Sequence, residues 1–118
     1  DSFSFLPLLR GVDQPIRAHA VNTACAGTPS LREGPWKLVL APDRDRGTAV
    51  QLYQLDDDLA ETNNVAAAQP ERVRAMQARL ETIISEGRST PGPKQKNDVS
   101  VVRYPRTATA KAKAKAAK

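Results

Sequence analysis

The sequence predicts an α+β fold: a small antiparallel sheet of three to four strands, one C-terminal amphipathic helix packed on it, then a disordered basic tail. Three observations carry this expectation. Short apolar and alternating runs recur between residues 16 and 55, separated by turns rich in glycine, proline and charge. One apolar stripe at three- and four-residue spacing runs through residues 70–85. The final residues alternate alanine with lysine and offer no large apolar group to a core.

The elements follow in chain order. Residues 2–10 read as a short helix with Asp1 or Ser2 as N-cap and Gly11 closing it. Pro7 limits it to about two turns, because an interior proline removes a hydrogen bond and clashes. Val12-Asp13-Gln14-Pro15 is a turn. Ile16 to Ala24 then reads as a strand, with Ile16, Ala18, Ala20 and Asn22 on one face and Arg17, His19, Val21 and Thr23 on the other. Cys25-Ala26-Gly27-Thr28-Pro29 has the residues of a hairpin loop.

Ser30 to Glu33 is a short extended piece, broken by Gly34-Pro35. Trp36 to Leu40 is the clearest strand, with Trp36, Leu38 and Leu40 on one face. Asp43 to Gly47 is a charged turn, and Ala49 to Leu55 is a further strand. Short strands joined by small turns favour an antiparallel meander. In Asp56-Asp57-Asp58-Leu59-Ala60-Glu61, Asp58 can cap a turn and Glu61 can reach back to complete a capping box. The helix runs from about Pro70 to Ser85, with Val73, Met76, Leu80, Ile83 and Ile84 as its stripe. Its other face carries Arg72, Arg74, Gln77, Arg79 and Glu81, and Gly87 ends it. Such a stripe must cover something, and the preceding sheet is the nearest surface.

Charge is unevenly distributed. Residues 94–118 hold eight basic residues and one acid, which leaves ten basic and twelve acidic residues in 1–93. The foldable part is therefore mildly acidic, and the net charge of +5 belongs to the tail. No run approaches the roughly 18–20 apolar residues of a membrane span, so none is expected. A single cysteine, Cys25, excludes an internal disulfide framework, and a single histidine, His19, excludes a two-histidine metal site. The acidic cluster lacks the glycine and spacing of a calcium loop, and no glycine-rich segment ends in Lys-Ser/Thr. Met76 is the only methionine, so the sequence is expected to continue upstream of Asp1.

Several segments together resemble the C-terminal region of type I, formylglycine-dependent sulfatases, in a bacterial arylsulfatase-like branch. Arg32 and Gly34-Pro35-Trp36-Lys37-Leu38 resemble that family's Arg-x-Gly-x-Trp-Lys-Leu strand. Leu52-Tyr53-Gln54-Leu55 resembles its Leu-Tyr-Asp-Leu, with Gln54 in place of the acid. Asp56 to Val65, the helix, Ser4 to Gly11 and Gly87 to Gly92 fit in the family's order. The resemblance spans residues 1–98, taken as a C-terminal subdomain, with residues 99–118 as the Ala/Lys tail.

The resemblance implies a sulfuric ester hydrolase acting on a sulfated small molecule or glycan. Its chemistry needs a formylglycine made from Cys/Ser-x-Pro-x-Arg and a calcium ion held by Asp and Asn side chains. Neither is expected in this chain. Cys25 has its proline at Pro29, two places late, and Ser89-Thr90-Pro91-Gly92-Pro93 has Pro93 where the arginine belongs. Both groups are expected in an upstream catalytic domain on which this subdomain packs, and the family implies a periplasmic or secreted protein. The chain alone is expected to hold no catalytic residue and to be inactive. Arg17, His19, Asn22, Arg88, Lys94 and Asn97 are the polar residues that could form a wall of the substrate cleft. A rival reading is a small stand-alone protein whose basic tail holds nucleic acid or an acidic partner. The absence of aromatics from the Ala/Lys run and the net acidic foldable region argue against nucleic acid.

Overall fold

The computed structural model describes residues 2–25, 27–41 and 50–104. The expected charged turn at 43–47 and the Ala/Lys residues from 105 onward lie outside the described residues. The elements are α1 (Leu6–Leu9), β1 (His19–Thr23), β2 (Pro29–Glu33), β3 (Trp36–Val39), β4 (Gln51–Gln54) and α2 (Pro70–Glu86). The four strands form one antiparallel sheet in the order β1-β2-β3-β4, and α2 packs on it, which is the α+β arrangement that the sequence predicts.

The register explains why the sheet holds. Val21 pairs with Leu31, Leu31 with Leu38, and Leu38 with Leu52. Directly opposed residues share a face, so one apolar row crosses all four strands. Met76 and Leu80 from α2 pack on this row, and Leu40 completes the buried cluster. Leu31, Leu38 and Leu52 are wholly buried, and each such side chain stabilises the fold by about 1.5–3 kcal/mol. The predicted stripe is the one buried: Val73, Ile83 and Ile84 lie half-buried beside Met76 and Leu80.

Three elements differ from expectation. Ser30 to Glu33 was expected as a short extended piece, yet β2 is an inner strand whose Pro29, Ser30 and Leu31 are buried. A segment with one large apolar residue is enough there, because neighbours on both sides complete its surroundings. The first helix is a single turn, Leu6–Leu9, with Phe5 at its N-cap position. Ser2 does not cap it, and Asp1 lies outside the described residues; Ser4 Oγ instead accepts a hydrogen bond from Leu6 N at 3.3 Å. β1 starts at His19, three residues later than expected.

One row flanks the core towards the cleft end of the sheet. On the helix side, two residues along each strand, His19, Glu33, Trp36 and Gln54 are in register. Basic residues of α2 reach this row: Arg79 pairs with Glu33, and the Arg72 guanidinium stacks 4.4 Å from the Trp36 ring centre. Arg72 and Arg79 therefore border the sheet, although the helical pattern assigns them to the far face.

The far edge of the sheet is covered. Val65 N donates to Leu52 O at 2.9 Å, and Leu52 N donates to Asn64 Oδ1 at 3.0 Å, so residues 64–65 continue the ladder past β4. The turn before them is organised by Asp58, which accepts from Thr62 N at 3.0 Å and Asn63 N at 2.8 Å. Those two bonds hold the Asp58 carboxyl below the usual carboxylate range. The capping box is not formed, because Glu61 turns away to Lys37, whose Nζ lies 2.6 Å from Glu61 Oε1.

The helix ends as predicted at Gly87, in left-handed conformation at φ +67°. A Cβ there would run into the Gln95 carbonyl, because the chain folds back and Gln95 N donates to Glu86 O at 2.7 Å. Asn97 Nδ2 donates to Ile84 O at 2.6 Å, satisfying an end carbonyl of the helix. Residues 99–104, assigned by the sequence to the tail, include Arg103, which pairs with Glu81 at 2.7 Å, and Tyr104 against the core.

Leu38→Ala is expected to lower unfolding free energy by about 2–5 kcal/mol, since its cavity lies in the middle of the apolar row. Leu59→Ala, at a side chain 83% exposed, is expected to stay within about 0.5 kcal/mol of the parent. Urea titration followed by Trp36 fluorescence reads both, and equal effects would contradict this placement of the core.

Candidate functional site

A cleft of about 630 Å³ opens where the chain enters β1, beside the C-terminal half of α2 and the loop after it. Apolar groups of Phe3, Ile16 and Ile83 line it together with Arg17, His19 and Arg79. The fold builds it in a simple way. The left-handed Gly87 ends the helix and turns residues 88–91 back over the start of β1.

His19 lies at the back of this cleft, half-buried. Its Nε2 is 3.1 Å from Ser89 O, and a carbonyl can only accept, so Nε2 carries the proton. Nδ1 is buried and has no hydrogen-bond partner among the described residues. In the neutral ring it is therefore a buried acceptor without a partner among the described residues. Arg17 is exposed and stacks its guanidinium 5.0 Å from the Phe3 ring centre, which keeps its N–H groups at the cleft mouth. Arg79 is held by Glu33, so its charge is partly balanced.

Arg88 has a different task. Its guanidinium donates to Thr90 O at 2.9 Å, Thr90 Oγ1 at 3.0 Å, Pro91 O at 2.8 Å and Pro93 O at 3.1 Å. Gly92, at φ +142°, allows this, because a Cβ there would overlap the guanidinium. Arg88 thus ties its own loop together and keeps Ser89 over His19.

The structure brings Arg17, His19 and Arg88 to one cleft and separates the other predicted residues from it. Lys94 and Asn97 line a second, shallower groove of about 790 Å³ along the end of α2. Asn22 sits on the opposite face of the sheet from His19, as odd and even strand positions must. Arg79 and Glu33 were not picked out from sequence. The usable signal was helical spacing, since Arg79 precedes Thr82, Ile83 and Glu86 of the same cleft wall by three, four and seven positions.

Among the described residues, no three of His, Cys, Asp and Glu converge to hold a metal ion. Cys25 is exposed at the β1–β2 turn, and Asp58 already receives backbone donors. These residues do not fit a formylglycine or calcium centre, so no step of ester hydrolysis is derived from this chain. No described helix is long and apolar enough to cross a membrane.

The comparisons give the fold a class. Among solved structures, 24 chains match. One is a Bacteroides thetaiotaomicron sulfatase of a core genetic locus for the metabolism of multiple glycosaminoglycans, with TM-score 0.60 and 30% identity over 70% of this chain. The sheet and helix are thus sulfatase-like. This chain spans 20% of that sulfatase's length. No family model and no curated protein matches the chain.

On the sheet face away from the cleft, Tyr53 stands in register with Lys37. Burial pushes its phenol above the ordinary value of 10.0; the Glu61 and Asp58 carboxylates push it the same way, and the Lys37 ammonium opposes them. The fold therefore favours neutral Tyr53. That contribution is intact below pH 10 and is lost as pH rises from there through the folded value. In Tyr104→Phe, which leaves Tyr53 as the remaining tyrosine, phenolate absorbance is expected to appear at higher pH in the folded chain than in urea. A folded midpoint equal to or below the unfolded one would contradict the burial of Tyr53.

Proposed function

We propose that this chain is the C-terminal subdomain of an arylsulfatase-like sulfuric ester hydrolase. Its catalytic domain would carry the formylglycine and the calcium ion. The observation behind this reading is the likeness to the Bacteroides sulfatase, at 30% identity over 70% of this chain. The sulfatase-like strand Trp36 to Leu38 lies within an inner strand of the sheet, and its Leu38 belongs to the buried core. The remaining four-fifths of such an enzyme would supply the reaction, and this unit packs against it. Export to the periplasm or beyond follows from the same assignment.

In that enzyme the cleft beside β1 forms part of the wall that receives the sulfated substrate. Arg17 offers an exposed guanidinium suited to an anionic ligand, and His19, half-buried, lines the wall beside it. Arg88 acts as a positioning residue through its loop. Lys94, Asn97 and Asn22 are left out, since they lie in the second groove or on the other sheet face.

The isolated 118-residue chain is expected to show no turnover of 4-nitrophenyl sulfate above background, whereas the product of its full gene hydrolyses it. Activity from the chain alone, or a full product lacking Cys/Ser-x-Pro-x-Arg, would remove this reading. In the full product, Arg17→Ala and His19→Ala are each expected to lower kcat/KM on the best sulfated substrate by about tenfold. Asn22→Ala should leave it unchanged. Equal, negligible effects at all three positions would take the substrate wall away from this cleft.

A further inference from the structure

Among the described residues, five of the eight exposed large apolar side chains fall between Phe5 and Val12. Phe5, Leu6, Leu8, Leu9 and Val12 are all exposed, Phe5 at 62% and Leu9 at 82%. None of the α1 residues is buried. The turn is nevertheless regular: Leu9 N donates to Phe5 O at 3.1 Å, Gly11 N to Leu8 O at 3.0 Å and Val12 N to Pro7 O at 3.0 Å. A one-turn helix does not hold itself in water, because nucleation costs more than so few bonds return. Five large apolar side chains on such a turn need a covering surface.

We infer that this segment is the surface by which the sheet-and-helix unit docks on the remainder of its own sulfatase polypeptide. The inference rests on the sulfatase reading above, and two observations select this occupant. First, the patch consists of five apolar side chains, whereas a free-standing specific complex engages about 20–30 residues and buries about 800 Å² on each partner. A covalently attached partner needs far less, because the tether supplies a high effective concentration. Secondly, the chain is similar to one-fifth of a longer sulfatase, so such an attached body exists in the protein it resembles. Arg10 and Asp13 stand beside the patch as a polar rim.

The position of the patch also bears on the cleft. Val12 and Arg17 are five residues apart, so their Cα atoms lie within about 18 Å of each other. A body that covers Val12 therefore comes within about 18 Å of Arg17 at the cleft. Docking here would bring that wall to the catalytic domain.

Hydrogen exchange of residues 8–12 tests the inference, measured in the 118-residue chain and in the full gene product. In the full product, exchange of these amides is expected to slow by about tenfold or more, and Phe5→Asp with Leu9→Asp should abolish the slowing. The same double variant should leave exchange of Leu38 and Leu52 unchanged, which excludes general unfolding. A full product that hydrolyses sulfate esters but exchanges residues 8–12 as fast as the isolated chain overturns the docking alone. A full product with neither the nucleophile motif nor turnover overturns the sulfatase reading beneath it. Protection that appears in the isolated chain as its concentration rises, with a dimer mass, assigns the patch to a second copy and also overturns the docking.

Discussion

Everything described here depends on one row of side chains, Val21, Leu31, Leu38 and Leu52, covered by Met76 and Leu80. A four-stranded sheet with one helix has little apolar surface to bury, and stability at this size is a small difference between large terms. The row is therefore a constraint as well as a support. It fixes the register of three strand pairs together, because a slip of one residue would turn each apolar group to the other face. It also fixes how α2 lies, since Met76 and Leu80 are wholly or almost wholly buried.

Once α2 is fixed, the cleft follows. The helix ends at Gly87, whose left-handed conformation sends the chain back over the entry to β1. Arg88 then gathers the carbonyls of Thr90, Pro91 and Pro93, and the loop so formed presents Ser89 O to His19. The only histidine is thus held through its Nε2, with its Nδ1 buried, beside a cleft that an exposed arginine also lines.

The helix and the strand at Trp36 were legible because period alone reveals them: five apolar residues of α2 recur on one stripe, and Trp36, Leu38 and Leu40 alternate. β2 was harder to read, since Ser30, Arg32 and Glu33 surround a single Leu31, and its burial comes from neighbours on both sides. The short α1 was over-extended because Leu and Phe favour a helix locally, while Pro7 and Gly11 confine it to one turn. At the cleft, Arg17 and His19 could be found from polarity beside a strand, and strand parity already separated Asn22 from them. The role of Arg88 could not, because it depends on the +142° φ of Gly92 and on carbonyls that converge only after the turn forms. Glu61 shows the same limit: sequence spacing pointed to Asp58, and the fold offered Lys37 at 2.6 Å instead.

The proposed sulfatase origin joins these strands of argument, since resembling residues such as Leu38 and Leu52 lie in the buried core and a solved sulfatase is similar over 70% of this chain. Mass spectrometry of the protein isolated from its natural source tests that assignment most directly. The account predicts that peptides of this chain occur in the same polypeptide as a peptide carrying formylglycine within a Cys/Ser-x-Pro-x-Arg sequence. Peptides of this chain in a polypeptide whose every cysteine and serine is unconverted would contradict it.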